Sequence, residues 1–426
     1  MAVVSPTFCA NIKVSAEDGS RWKFWIPEPD SDAEEWAQRY GLTASRLDPA
    51  GNLPPVFLGL VALSGAKQSS IPFFSPADEP QVEFLITRAV HDVTTAKKPK
   101  LAVISPLPIM GNAGMFMGQR PDPWIVINEL RAVADVTDLS ADIESVPEDI
   151  DTLLLVYPRN LPETTLYALD QFVLRGGHLF AMNDPLNLTE LNLQSSELND
   201  PNQTHADMNK LTSAWGVTMA TDRVVADSRA ATRISRPDGS TERHLAWLTL
   251  RPENFNKQEI ATAALDMMQM PMAGWFQTNA VEGLTLTPLI TAGLEAGSIT
   301  VSEAISGIPM GDSSFRKEPG PMPIALRISG HFKTAFPDGR PKSGKPEQAP
   351  DTNSHTAQLK ESNGDGVVIL VADADFLYDS FAGRKLPMFG PGVYQLMNDN
   401  INFAANIAGQ LVGGDALLGL RGRGTF

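Results

Sequence analysis

The sequence predicts an α/β protein built on a mostly parallel sheet covered by helices on both faces. Three observations lead there. Short apolar runs recur without polar alternation, as in strands buried on both faces. Segments with helical spacing separate several of them, and Gly, Pro or Asn-Asp stops bound them. The purest run of this kind, Gly366–Val371, stands nearly two hundred residues beyond the others, so the core is predicted to be discontinuous.

Residues 98–184 carry most of the pattern. Pro99–Ser105 is a branched apolar run that reads as the first core strand. A Gly-rich loop follows (Gly111, Gly114, Gly118). Asp122 is then a candidate helix N-cap, with Pro123 at the first helical position, where a missing N–H costs nothing. Ala134–Leu139 and Asp151–Tyr157 read as strands. A helix starts at 160–162 with Leu166, Leu169 and Val173 on one face and ends at Gly176-Gly177. His178–Met182 is the next strand, halted by Asn183-Asp184-Pro185.

The flanking regions are organised differently. Residues 1–95 are expected to form a small N-terminal α/β unit. Its predicted elements are a strand at Trp22–Ile26, a capped helix from Ser31, a hairpin around Gly65 and a helix presenting Val82, Leu85, Ile86, Ala89 and Val90. Residues 186–335 read as a long α+β insertion. It opens with a polar loop at 186–204, followed by a helix at Met208–Trp215 stopped by Gly216. Strands are expected at Val217–Met219, Arg223–Ala226, His244–Leu250, Thr285–Ile290 and Ile324–Ile328, with a helix at Gln258–Met270. Residues 336–365 have the composition of a flexible loop. The core then resumes at 366–415 with the late strand and a helix from about Asn400 to Leu411, joining residues 96–185.

Composition narrows the function. The 426 residues carry 34 Lys and Arg against 50 Asp and Glu, a net charge of -16, which speaks against binding nucleic acid. One cysteine, Cys9, excludes an internal disulfide and a Cys-based zinc site. No apolar run reaches the ~18 residues a membrane span requires. No G-x-S-x-G elbow, H-E-x-x-H pair or P-loop occurs. No catalytic residue and no cofactor is therefore expected.

In an open parallel sheet, ligands sit beyond the carboxyl ends of the strands. The groups predicted there are the loop Gly111, Gly114, Met115, Phe116, Met117 and Gly118, then Tyr157 and Arg159, then Asp184, Asp373 and Asp375. The loop's Met and Phe side chains suit a partner contact better than a phosphate. The three aspartates have two readings. They cap helices and close turns, or they converge on a hard cation such as Mg²⁺ and support a metal-dependent hydrolase or transferase. Trp215, Trp247, Trp275 and Tyr157 are candidate platforms for a small molecule or glycan. The methionines of 267–272 read as adaptable packing.

Several segments together resemble the auxiliary component of ABC transporters related to gliding motility: Lys97–Pro108, Pro147–Leu161, Tyr167–Gly177, Leu211–Val217, Arg251–Asn256, Ser329–Gly339, Val371–Phe376 and Asn398–Asn406. Pro27–Pro29, Phe57–Leu60, Ile71–Phe73 and Leu420–Gly424 fit as well. The resemblance implies a flavodoxin-like sheet akin to the intraflagellar-transport type domain, with residues 1–95 a truncated thioredoxin-like piece. It also implies a periplasmic location, anchorage to the inner membrane by flanking helices absent from this chain, and partnership with an ABC permease and ATPase. It supplies no catalytic residues. The expected role is a non-catalytic binding module for partner proteins or a transported ligand.

Overall fold

A computed structural model describes residues 2–3, 31–45, 56–74, 82, 86, 89–90, 93, 98–111, 122–193, 205–235, 239, 241–306, 314–342, 358–385 and 394–413. The chain divides into two compact units, one including residues 1–98 and one spanning 99–413.

In the first unit, the helix Asp32–Arg39 starts at Ser31, whose side chain accepts the Glu34 N–H at 3.3 Å. Gly59–Ser64 and Lys67–Ile71 pair antiparallel around Gly65, whose φ of 59° few side-chain-bearing residues adopt. Val82, Ile86, Ala89 and Val93 pack with Leu60, Ala62 and Phe74. The predicted strand at Trp22–Ile26 lies outside the described residues.

The second unit is mixed α/β, with one seven-stranded, mostly parallel sheet and several small antiparallel ones. The seven strands in chain order are β1 (Lys100–Ile104), β2 (Asp135–Asp138), β3 (Thr152–Val156), β4 (His178–Met182), β5 (Leu284–Thr291), β6 (Pro323–Gly330) and β7 (Gly366–Val371). Their order across the sheet is β5-β6-β7-β4-β3-β1-β2. The five strands from β7 to β2 are mutually parallel, while β6 and β5 run antiparallel at one edge. The late run at 366–371 thus pairs directly with β4, and two strands of the predicted insertion extend the same sheet.

Both faces of the sheet are covered, which explains why its strands read as unbroken apolar runs. On one face Val103, Leu154, Phe180 and Ile369 meet the helices α1 (Ile125–Val133) and α4 (Asn400–Gly413). On the other, Ile104, Leu155, Leu179 and Leu370 meet the helix α2 (Glu163–Leu174) and, from the insertion, Trp215 and Phe276. Each such side chain, fully withdrawn from water, contributes roughly 1.5–3 kcal/mol.

Three expectations need correction. Asp122 does not cap α1: the helix begins at Ile125, whose N–H is taken at 2.8 Å by Asp379, 254 residues away. The predicted helix at 258–270 is only Ile260–Ala263. The methionine run forms a strand, Met268–Pro271, paired with Thr241–Leu250. Alternation explains the difference, because Met268 and Met270 both point into the core while Gln269 does not. The polar stretch after Leu186 contains a helix, α3 (Leu188–Leu193), rather than loop throughout.

Candidate functional site

The carboxyl ends of the five parallel strands bring several predicted site residues together. β1 has β2 on one side and β3 on the other, so the chain reverses its direction of winding between β1 and β3. The loop after β1 and the turn after β3 flank that point. Gly111 closes the first described part of the β1 loop with φ 76° and is buried. Gly114, Met115, Phe116, Met117 and Gly118 lie outside the described residues.

Tyr157 follows β3 directly and is wholly buried. Its φ of 57° is unusual for a bulky residue and marks local backbone strain. Its N–H reaches the Met182 carbonyl at 3.1 Å, which holds the turn against the end of β4. The Tyr157 hydroxyl donates to Glu190 on α3, and the Arg159 guanidinium pairs with the same carboxylate. Burial, reinforced by the bond to Glu190, pushes the Tyr157 hydroxyl far above its ordinary pKa. Tyr157 is therefore a structural tie between β3 and α3, not an exposed platform.

Beyond β4 and β7, the parallel register that aligns Met182 with Val371 sets Asp184 beside Asp373. Asp184, Asp373 and Asp375 are all fully buried, and one oxygen of each lies within 4.8 Å of the others. Each is also bonded to backbone. Asp184 accepts Leu186 N–H at 2.9 Å, Ala374 N–H at 3.0 Å and the Asn187 amide at 3.0 Å. Asp375 accepts Leu188 N–H at 2.6 Å, Thr189 N–H at 2.9 Å and the Thr189 hydroxyl at 2.6 Å. Asp373 accepts Phe376 N–H at 3.2 Å through Oδ1, while its Oδ2 has no hydrogen-bond partner among the described residues. The aspartates thus close turns and start helices, and their oxygens also converge.

Burial raises all three carboxyls above the ordinary aspartate range. The charge of Asp375 adds to the effect at Asp184, and the charges of Asp184 and Asp375 add to it at Asp373. Asp375 rises only to about 6, because its hydrogen bonds from Thr189 and Leu188 favour the ionised form. The folded chain consequently holds protons between pH about 4 and about 6 that the unfolded chain has released. This contribution to stability is complete below the unfolded carboxyl range and is lost as pH rises through about 6. In metal-free buffer, the thermal midpoint is expected to be higher near pH 5 than near pH 7, with a flatter slope in Asp375→Asn. A wild-type midpoint that climbs over the same interval would contradict this assignment. Glu303, held down at about 2 by bonds from Ser314 and Thr300, acts with the opposite sign between about 2 and 4.5, below the pH 5 to 7 comparison.

Sequence reasoning missed Asn187, Thr189 and Glu190. A local signal was present: Asn187 accepts the Glu190 N–H at 2.7 Å, the spacing of a helix N-cap. Glu190 joins Tyr157 and Arg159 in a half-buried cluster, so Glu190→Ala is expected to cost about 2–3 kcal/mol. Urea unfolding checks this; a loss below about 0.5 kcal/mol would place the cluster among weak surface pairs. Of the predicted aromatic platforms, Trp215 and Trp275 are buried, and Trp247 lies edge-on to Phe381 at 5.3 Å. No described helix is long and apolar enough to cross a membrane.

No curated protein matches the chain in sequence. Among solved structures, it is similar to an exo-β-1,4-mannosidase from Opitutaceae bacterium strain TAV5, with 12% identity, a TM-score of 0.27 and coverage of 70% of this chain. It is also similar to a cold-adapted β-galactosidase from Rahnella sp. R3, with 10% identity, a TM-score of 0.19 and coverage of 67% of this chain. The chain spans 35% of the mannosidase and 43% of the galactosidase, and likenesses this distant carry no argument about fold or activity. A sequence profile covers nearly the whole second unit: over residues 98–407 the chain matches, and so belongs to, the family described as an ABC-type uncharacterized transport system.

Proposed function

We propose that this chain is a non-catalytic auxiliary module of its ABC-type transport system, on the periplasmic side of the inner membrane, that binds partner proteins or a transported ligand. The contact surface in this reading is the carboxyl edge of the sheet, and the partners are the system's permease and, through it, the ATPase. The parallel order β2-β1-β3-β4-β7 agrees with the flavodoxin-like winding expected of such a module.

The observation that carries the reading is the complete burial of the three acids at the ends of β4 and β7. A catalytic metal centre keeps an open position for water or substrate. Here Asp184, Asp373 and Asp375 are shut from solvent and held by backbone donors from 186–189, 374 and 376. Acids enclosed in this way suit a supporting role beneath presented loops better than turnover. Affinity purification of the full-length, membrane-anchored protein in mild detergent is expected to recover the permease and ATPase together. Repeated purification without either subunit would overturn the reading.

A further inference from the structure

We propose that Asp184, Asp373 and Asp375 hold a single Ca²⁺ ion as a buried structural centre that ties the ends of β4 and β7 to α3. The inference is independent of the transport reading.

Three observations carry it. First, the three carboxylates are wholly buried, and among the described residues no Lys or Arg ion pair reaches any of them. Three adjacent carboxyls in a dry site either keep protons, as in metal-free solution, or share a cation that replaces them. Second, the hydrogen bonds leave one conspicuous opening. Both oxygens of Asp184 and both of Asp375 accept N–H or O–H donors, whereas Asp373 Oδ2 is fully buried with none among the described residues. The Asp373 carboxyl faces both neighbours, whose charges act on it directly. Third, the oxygens lie within 4.8 Å of one another, the span that ligands about 2.4 Å from one Ca²⁺ can cover.

The chemistry selects the ion. Carboxylate oxygens favour hard cations over those that prefer nitrogen or sulfur. Mg²⁺ usually retains several waters and demands near-octahedral geometry, which a fully enclosed triad does not suit. Ca²⁺ accepts irregular oxygen sets, with carbonyls or a single water completing the shell. An ion there would brace the segment 184–190 that carries Glu190, and through it the positions of Tyr157 and Arg159 on the carboxyl edge.

The test uses the full chain, stripped with chelator and titrated with calcium chloride or magnesium chloride while thermal unfolding is followed. Calcium at a large excess over its Kd is expected to raise the midpoint by on the order of 5 °C, and Asp373→Asn to abolish that shift. Crystals of the wild-type chain soaked in Mn²⁺ locate the site without any substitution, and an anomalous peak among the three aspartates is expected. No calcium-dependent shift, an undiminished shift in Asp373→Asn, stabilisation by magnesium alone, or an anomalous peak only elsewhere would each overturn the proposal.

Discussion

Replacing Trp215 with alanine is expected to destabilise the second unit by about 3–5 kcal/mol, the range for deleting a large buried aromatic side chain. Trp215 is fully buried at the end of the short helical segment 209–215. Its ring meets Phe332 edge-on at 5.2 Å, and its indole N–H donates to the Lys333 carbonyl at 3.2 Å. The substitution would open a cavity beneath β4, β6 and β7 and remove the donor to that carbonyl. Gly216 holds the adjoining chain in place with φ 78°, and a Cβ there would lie 2.2 Å from the Asn279 carbonyl oxygen, so the backbone cannot readily collapse into the void. Equilibrium urea unfolding checks the value; a loss under about 1 kcal/mol would mean the segment is not part of the core. Because residues 99–413 form one compact unit, the variant is expected to unfold in one transition with them.

Asn400→Ala is expected to cost about 3 kcal/mol or more, although no apolar contact is at stake. Asn400 is fully buried at the start of α4. Its amide donates to the carbonyls of Gln269 and Phe376 at 2.8 and 2.9 Å, and its Oδ1 accepts the Gln269 N–H at 3.0 Å. One side chain therefore satisfies three backbone groups from two distant segments, and each group left unpaired costs roughly 1–3 kcal/mol. Asn400→Asp supplies a control of opposite design: it keeps the acceptor, loses both donors and adds a buried charge, so it should be at least as damaging. If both variants unfold like the wild type, the link between the methionine strand and the turn after β7 is not a stabilising one.

The parallel core was legible because its strands are buried on both faces, which leaves apolar runs that survive in the bare sequence. That legibility extended to Gly366–Val371, whose partner is set by the β4 register. What was hidden depended on long-range partners. The start of α1 rests on Asp379, which no local capping rule could supply. The methionine strand has a helix-forming composition but is held extended by Leu248 and Leu250 opposite it. At the site, the sequence located Asp184, Asp373 and Asp375 at strand ends, but their convergence follows from the pairing of β4 with β7. α3 was masked by the Asn-, Gln-, Ser- and Asp-rich sequence that follows it, even though Asn187 and Glu190 stood at capping distance.

The proposed contact between the carboxyl edge of the sheet and the transport system has a direct consequence for crosslinking. Site-specific photocrosslinking in the full-length protein tests it most directly, with the reactive residue at Asn160 on that edge or at Asp149, just before β3 at the opposite edge; both positions are exposed. A crosslink to the permease is expected from Asn160 and none from Asp149. A crosslink from Asp149 alone, or from neither position in a complex that purifies intact, would contradict it.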